Sequence, residues 1–377
     1  MEKIKTSAVQ NAEDIGLETI LTKLKSAYPV LATTENRAHT FTQRTMVLRL
    51  GALGDCIILT PLIRYLRETL NEEVYLLTSE QGFDIFKNNP FINKTILYEK
   101  NSVPPQLWDK FKIALKNGYE CNRVIDMCES IERVLALLPI DPEFNYTKKE
   151  RELMCNKNYY DYTFQFAGYP AITGKRGEMF FDEKEEEWAR KFLANYKDKY
   201  IVLWGLSGSG RNKSYPFVPY VISDLLKRYT RLMIITVGDE ACKILECGME
   251  HPQILKMSGL WNFRQSALLT KYVNLVISPD TGLLHAAGMF DTPKIGLLGH
   301  STKENITKHF NNDYTIESQC DCAPCFKLIY NATIQCPIEP ISSGCWCMTE
   351  GLPVERVYKH ICGAIDKDYY GKNTTTT

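Results

Sequence analysis

The sequence has no surplus of charge of either sign and no long apolar run. Its 377 residues contain 45 Lys and Arg against 45 Asp and Glu, so no general positive charge is available to bind nucleic acid through counterion release. No segment reaches the ~18 consecutive apolar residues that span a bilayer. The start, MEKIKTSAVQNAEDIG, lacks the apolar stretch and cleavage site of a secretory signal. These absences predict a cytoplasmic protein without a transmembrane segment, for which nucleic acid is not a favoured partner.

Cysteine, by contrast, is abundant, with 13 residues in the chain. A reducing cytoplasm disfavours disulfides and leaves thiols for metal binding or burial. Six of the thiols belong to one short segment: Cys320, Cys322, Cys325, Cys336, Cys345 and Cys347. Cys322 and Cys325 form a CxxC pair, whose spacing suits a tetrahedral metal, so we expect a closed structural site for zinc or iron. Unliganded or oxidised cysteines are the alternative.

The order of apolar segments predicts two α/β domains. The length suits two domains of roughly 100–200 residues each, and two series of apolar strands alternate with helical segments, as in parallel sheets. We predict a helical extension at 1–44, a Rossmann-like domain at 45–182 and a second at 183–377, which carries the Cys-rich segment 320–347. The predicted strands are 46–50, 74–77, 95–98, 123–127, 200–204, 232–237, 273–278 and 294–299.

The loop after the first strand reads GALGD. This GxxGD pattern lacks the GxGxxG of dinucleotide folds, which disfavours a nicotinamide enzyme. Asp55 lies where the next helix, predicted from Cys56 to Leu70, should begin. A carboxylate there is either a helix cap or a general base in the crevice at the strand ends.

Two later loops also follow apolar strands. In residues 205–214, Lys213 does not directly follow a glycine, so the phosphate loop of nucleoside triphosphatases is excluded. Donors and cations in this loop still suit a diphosphate, with an ordinary surface turn as the alternative. In the second loop, Asp280-Thr281-Gly282 brings an acid, a hydroxyl and a glycine to a helix start, which either binds an anion or is simply capped.

Together these features resemble the heptosyltransferase family of GT-B glycosyltransferases, from about residue 46 to residue 361. LRLGALGD at 48–55 matches the family's opening strand, basic residue and GD turn, and DTGLLH at 280–285 matches its DTGxxH in full. The lysine that precedes Trp-Pro in many members corresponds to Lys213, which is followed by Tyr215 in place of Trp.

The resemblance implies a role for each matched residue. Asp55 would be the catalytic base, and Lys213 would contact the phosphates. The implied donor-binding residues are Ser207, Ser209, Glu240 or its neighbour Asp239, Met257, Asp280, Thr281, Gly282 and His285. The implied metal ligands are Cys322, Cys325, Cys336 and Cys347, and a few protein-modifying relatives hold iron there. Cys320 and Cys345 are additional in this chain.

The resemblance implies an inverting transfer of a sugar, heptose from ADP-heptose, to a hydroxyl acceptor, with no catalytic metal. The acceptor stays open among lipopolysaccharide core, another glycan, a protein side chain and modified nucleic acid. One alternative is a nucleotide-sugar-processing enzyme of another kind, such as an epimerase. The other is a non-catalytic binding or assembly module built on the cysteine cluster.

Overall fold

The described part of the chain contains two parallel sheets, each flanked by helices. The computed structural model describes residues 40–98, 102–171, 174, 176–329 and 344–369. Most of the predicted extension at 1–44 therefore lies outside the described residues, and so does Cys336. Among the described residues, no helix is both long and apolar enough to cross a membrane.

The first sheet has four parallel strands in the order β3-β2-β1-β4. The central strand is fully buried at Met46, Val47 and Leu48, because helices cover both faces of the sheet. The strands are β1 (Arg44–Arg49), β2 (Glu73–Thr78), β3 (Lys94–Leu97) and β4 (Arg123–Asp126). The helices are α1 (Leu53–Arg64), α2 (Glu80–Phe86), α3 (Trp108–Gly118), α4 (Lys148–Cys155) and α5 (Tyr159–Phe166).

The second sheet has six parallel strands in the order β10-β9-β8-β5-β6-β7. The strands are β5 (Tyr200–Gly205), β6 (Leu232–Val237), β7 (Ile254–Lys256), β8 (Leu275–Pro279), β9 (Lys294–Leu298) and β10 (Ile316–Glu317). The helices are α6 (Glu183–Ala194), α7 (Val218–Arg228), α8 (Phe263–Leu269), α9 (Gly282–Gly288), α10 (Lys303–Ile306) and α11 (Val354–Tyr369). The two sheets fall on either side of residue 182, while the domain limits themselves stay a prediction.

The two halves touch where α1 meets α9. A Cβ atom added at Gly54 would lie 2.9 Å from Cδ2 of His285, and one added at Gly282 would lie 3.2 Å from Cβ of Leu53. Only glycine permits so close an approach of the two helices. Because both contacts involve the first turn of a helix, they bring the loop before α1 next to the loop before α9.

Candidate functional site

The candidate site lies where strands of both sheets end. Ligands of open α/β sheets bind in the crevice at the carboxyl ends of the strands. The loops that follow β1, β4, β5, β8 and β9 supply its charged side chains, as described below.

Asp55 forms one half of the site together with Arg49 and Glu132. Helix α1 begins at Leu53, three residues before the predicted start at Cys56, so Asp55 lies in its first turn. Nη2 of Arg49 lies 2.5 Å from Oδ2 of Asp55 and 3.1 Å from Oε2 of Glu132. Nη1 donates to the carbonyl oxygen of Met127 at 2.6 Å. The guanidinium is only 1% exposed and joins two carboxyl groups.

These two carboxyl groups have opposite pKa shifts. Burial raises the pKa of Asp55 to about 8, and the charge of Glu132 adds to the rise, while Arg49 and Lys213 oppose it. Burial also acts to raise the pKa of Glu132, but Arg49 and a hydrogen bond with Asp55 outweigh burial and lower it. The two carboxyl groups therefore titrate as a coupled pair that shares a proton, and their opposite shifts make Asp55 the weaker acid of the two.

Lys213 and Asp280 form the other half. Nζ of Lys213 lies 3.0 Å from Oδ2 of Asp280. His300 Nε2 lies 3.3 Å from Oδ2, and His285 Nε2 lies 3.5 Å from Oδ1. Burial favours the neutral acid, but Lys213 and the two histidines hold the pKa of Asp280 well below its usual range. Asp280 is therefore an anion that fixes the ammonium group of Lys213.

The loop at 205–214 rests on the loop that begins at Asp280. The backbone N–H of Gly208 donates to the carbonyl oxygen of Lys213 at 3.1 Å, and Ser207 pairs with Ser214 across the loop. A Cβ at Gly208 would lie 2.8 Å from Cγ2 of Thr281. This packing explains how Lys213 reaches Asp280.

The other predicted donor-binding residues lie at the same edge of the second sheet. Ser209 and Glu240 are exposed, while Ser207, Met257, Thr281 and Gly282 are partly buried. Glu240 follows β6 and pairs with Nζ of Lys243 at 2.7 Å. The hydroxyl oxygens of Thr281 and Ser278 lie 2.8 Å apart. Their role in donor binding stays a prediction.

The sequence alone assigns no role to Arg49, Glu132, His300 or Tyr159. Tyr159 is buried, and burial together with the charges of Asp280 and Asp55 raises its pKa, so it lies near both carboxylates. His300 comes just after β9, so its position after an apolar strand is a signal by which it could have been predicted. Glu132 lies in an irregular segment beyond β4 and carries no such signal.

Five thiols gather in the Cys-rich segment. Sγ of Cys320 lies 3.2 Å from Sγ of Cys322. A hydrogen bond with Cys345 lowers the pKa of Cys347, but burial and the nearby thiols outweigh it and raise that pKa. These nearby thiols are Cys325, Cys322 and Cys320. Within the described ranges, no group of three or more His, Cys, Asp or Glu residues has the geometry of a metal site. The predicted metal-binding insertion is thus not established, and Cys336 lies outside the described residues.

The backbone of this segment runs between the two halves. The N–H of Leu137 donates to the carbonyl oxygen of Phe326 at 2.7 Å, and the N–H of Leu328 donates to the carbonyl oxygen of Leu137 at 2.8 Å. Nε of Arg151 donates to the carbonyl oxygen of Cys325 at 2.8 Å. On the other side, the N–H of Arg211 donates to the carbonyl oxygen of Ile329 at 3.0 Å. The segment therefore joins the region around Glu132 to the loop that carries Lys213.

The sequence profile of glycosyltransferase family 9 (heptosyltransferase) matches residues 141–332, just over half of the chain. Lipopolysaccharide heptosyltransferase 1 of Campylobacter coli is 22% identical over 302 residues, which cover 70% of this chain and 87% of that protein.

Solved structures are similar to this fold. A family 9 glycosyl transferase from Veillonella parvula has a TM-score of 0.61 and 14% identity, with coverage of 89% of this chain and 100% of its own. TibC, an iron-containing dodecameric glycosyltransferase from enterotoxigenic E. coli, has a TM-score of 0.52 and 11% identity, with coverage of 88% and 77%. At such identities the likeness shows the fold alone, which is a GT-B-like pair of parallel-sheet halves.

Proposed function

Because the chain belongs to glycosyltransferase family 9 (heptosyltransferase), we propose that it transfers heptose from ADP-heptose to a hydroxyl group, with inversion at the anomeric carbon. Family membership makes the chain a glycosyltransferase; the donor, the inversion and the residue roles belong to the proposal. TibC, with the same fold, has been solved in complex with ADP-D-beta-D-heptose, which supports this choice of donor.

One observation carries the proposal: a carboxyl group from the first half and an ammonium group from the second act on the same site. The charge of Lys213 opposes the rise in the pKa of Asp55, so the two side chains are close enough to interact. An inverting transfer needs this pair, because a base must accept the acceptor's proton while a cation stabilises the departing diphosphate.

The proposed step follows from these positions. Ionised Asp55 accepts the proton of the acceptor hydroxyl as its oxygen bonds to the anomeric carbon. The bond between that carbon and the diphosphate oxygen breaks, and its electron pair leaves with ADP. Lys213, held by Asp280, stabilises the new charge. Around it, the further donor-binding residues of the proposal are Ser207, Ser209, Glu240, Met257, Thr281, Gly282 and His285.

The first experiment is a thermal-shift panel with ADP, UDP, GDP and ADP-heptose. We expect ADP and ADP-heptose to raise the Tm of the wild type, and Lys213→Ala to remove the rise. Lys227→Ala is the matched control, because Lys227 is an exposed lysine of α7 that pairs with Asp224. A rise with UDP or GDP instead would reassign the donor, and no rise with any nucleotide would contradict the proposed nucleotide-sugar site.

The second experiment separates binding from catalysis. We expect Asp55→Asn to keep the Tm rise with ADP but to lose turnover by about 10²–10⁴-fold, the usual contribution of a general base. Undiminished turnover in Asp55→Asn would remove Asp55 from the proposed mechanism.

For the acceptor, we propose lipopolysaccharide core, because the Campylobacter coli relative is named for that substrate. The test supplies ADP-heptose with purified core lipopolysaccharide, another glycan or acceptor proteins, and identifies the product by mass spectrometry. If heptose were transferred to protein alone, the acceptor would be protein and not lipopolysaccharide. The cytoplasmic location stays a prediction.

We also propose a structural zinc or iron in the Cys-rich segment. The donor set fits, because thiolates are the ligands that both metals accept in closed four-ligand sites, and TibC contains iron. The proposed ligands are Cys322, Cys325, Cys336 and Cys347, with Cys320 and Cys345 as alternative ligands. Elemental analysis should find metal in the wild type and in Cys247→Ser, whose thiol is exposed, but not in Cys322→Ser. A metal-free wild type purified without chelators would contradict this.

A further inference from the structure

Glu132 faces the site but has no place in the proposed step. It lies in the segment after β4, where it forms an isolated bridge with Ala136. Its carboxylate accepts a hydrogen bond from its own backbone N–H and another from Asp55. Both Oε atoms also lie within 3.4 Å of Nη2 of Arg49, the same nitrogen that contacts Asp55. Glu132 and Asp55 therefore share one cation.

Among the charged groups around Asp55, Glu132 is distinctive because it opposes the ionisation of Asp55. Within the described part of the chain, the titratable and charged side chains around Asp55 include Arg49, Cys56, Glu132, Tyr159, Lys213, Asp280 and His285. Burial raises the pKa of Cys56 to about 12 and raises the pKa of Tyr159 as well, so both are neutral near pH 7. His285 lies beside Asp280. Among these charges, Arg49 and Lys213 favour the anion of Asp55, and Glu132 opposes it.

A purely structural role for Glu132 does not account for this geometry. Arg49 already has Asp55, the carbonyl oxygen of Met127 at 2.6 Å and Ser130 Oγ at 3.5 Å as partners. A second, partly buried carboxyl group is not needed to neutralise one guanidinium, and two carboxyl groups this close cannot both ionise freely. The arrangement therefore couples the ionisation of Asp55, the proposed base, to the charge of Glu132.

We propose that Glu132 is a positioning residue for the transfer reaction, which orients Asp55 through their hydrogen bond and through Arg49, the cation that both carboxyl groups share, and which thereby sets the pH at which Asp55 can act as the base. This rests on the proposed function, in which Asp55 is the base.

The test is the pH profile of kcat/KM for Glu132→Gln. In the wild type, turnover should fall on the acid side as Asp55 becomes protonated, near its pKa of about 8. Glutamine keeps the size of the side chain and its contact with Arg49 but removes the charge, so the acid limb should move down by about one pH unit or more. Glu132→Asp restores the charge and should return the limb toward its wild-type position.

Glu129→Gln is the matched control. Glu129 lies in the same segment, but it is exposed and pairs with Arg133 at 3.4 Å, away from Asp55. This variant should leave the profile unchanged. The proposal is overturned if Glu132→Gln lowers kcat/KM equally at every pH and leaves the acid limb in place, because a loss of folding or packing alone would do that.

A second readout does not depend on transfer activity. A group whose pKa is raised by folding stabilises the protein at low pH and loses that contribution as the pH rises through the folded pKa. The Tm of the wild type relative to Asp55→Asn should therefore fall between about pH 4 and pH 8. When both proteins also carry Glu132→Gln, this fall in their Tm difference should be complete at a lower pH. If no transfer is found with any acceptor, the proposed function fails, but this comparison still decides whether Glu132 controls Asp55; an unchanged fall refutes it.

Discussion

At the scale of single residues, a buried anion, Asp280, holds the ammonium group of Lys213 in position. Asp280 is 3% exposed and faces Lys213, His285 and His300. Lys213 is the most exposed of these three partners, with 15% of its side chain exposed, so its ammonium group is the one best placed to contact a diphosphate as well. Asp280 is thus better placed to hold the lysine than to contact a sugar.

Asp280→Asn should therefore weaken donor binding without removing the lysine. We expect kcat/KM for the donor to fall by about 10²-fold, because a preorganised cation is no longer fixed. Folding lowers the pKa of Asp280, so its contribution to stability is fully present above its unfolded pKa of about 3.8 and is lost as the pH falls from there through the folded pKa. The Tm difference between the wild type and Asp280→Asn should thus vanish in acid. Asp224→Asn, an exposed partner of Lys227, is the control, and an equal effect there would contradict the assignment.

Residues that follow a strand directly are predictable from sequence, and residues in irregular segments are not. Asp55 and Asp280 follow apolar strands closely, and the carboxyl ends of parallel strands gather at one edge, so both stand out as candidates. Glu132 does not, because the path of the segment after β4 depends on tertiary contacts such as that of Leu137 with Phe326.

At the scale of elements, the start of α1 tolerates only glycine at one position. In a helix, Gly→Ala normally stabilises by up to about 1 kcal/mol. At Gly54, however, the new Cβ would lie 2.9 Å from the buried ring of His285, so α1 and α9 would have to move apart. We expect Gly54→Ala to destabilise the protein by about 1–3 kcal/mol, the usual cost of overpacking.

The measurement for this prediction is Tm beside that of Gly363→Ala. Gly363 lies in α11, and a Cβ atom added there would meet nothing within 4 Å, so alanine at this position should raise the Tm. Opposite signs for the two variants support the contact between α1 and α9. A Tm increase in both would mean that the helices do not meet so closely.

The longer strands can be predicted from their sequence patterns, while the shortest ones cannot. The eight predicted strands are all present, because each contains apolar residues that pack in the core, although the edge strands β3 and β4 are mostly half-buried. β7 and β10 have only three and two residues, too few for any period to be recognised. The order of the strands also escapes sequence reasoning, since pairing such as that of β5 with β8 joins segments about 70 residues apart.

At the scale of the whole molecule, the Cys-rich segment connects the two halves of the site. Phe326 is 1% exposed and packs with Leu137 and Cys155 from the first half. On the other side, Asn212 donates to the carbonyl oxygen of Lys327 beside the loop of Lys213. The sequence places the cysteines close together, but it carries no sign that their backbone bridges the halves. Such contacts join residues that are remote in sequence, and no local pattern records them.

Phe326→Ala should loosen this connection before it unfolds the protein. Loss of a buried phenylalanine costs about 3–5 kcal/mol, and here the lost packing lies directly on the bridging backbone. We expect faster hydrogen exchange at the amides of Leu137, Leu328 and Arg211, which donate across the segment, while the amide of Ile234 between β6 and the loop before β7 keeps its protection. Phe111→Ala removes an equally buried ring from the first sheet's own core, so it should lower the Tm without this exchange pattern. If Phe326→Ala speeds exchange equally at all four amides, the protein is exchanging through global unfolding. The segment would then not be a connection that can open separately.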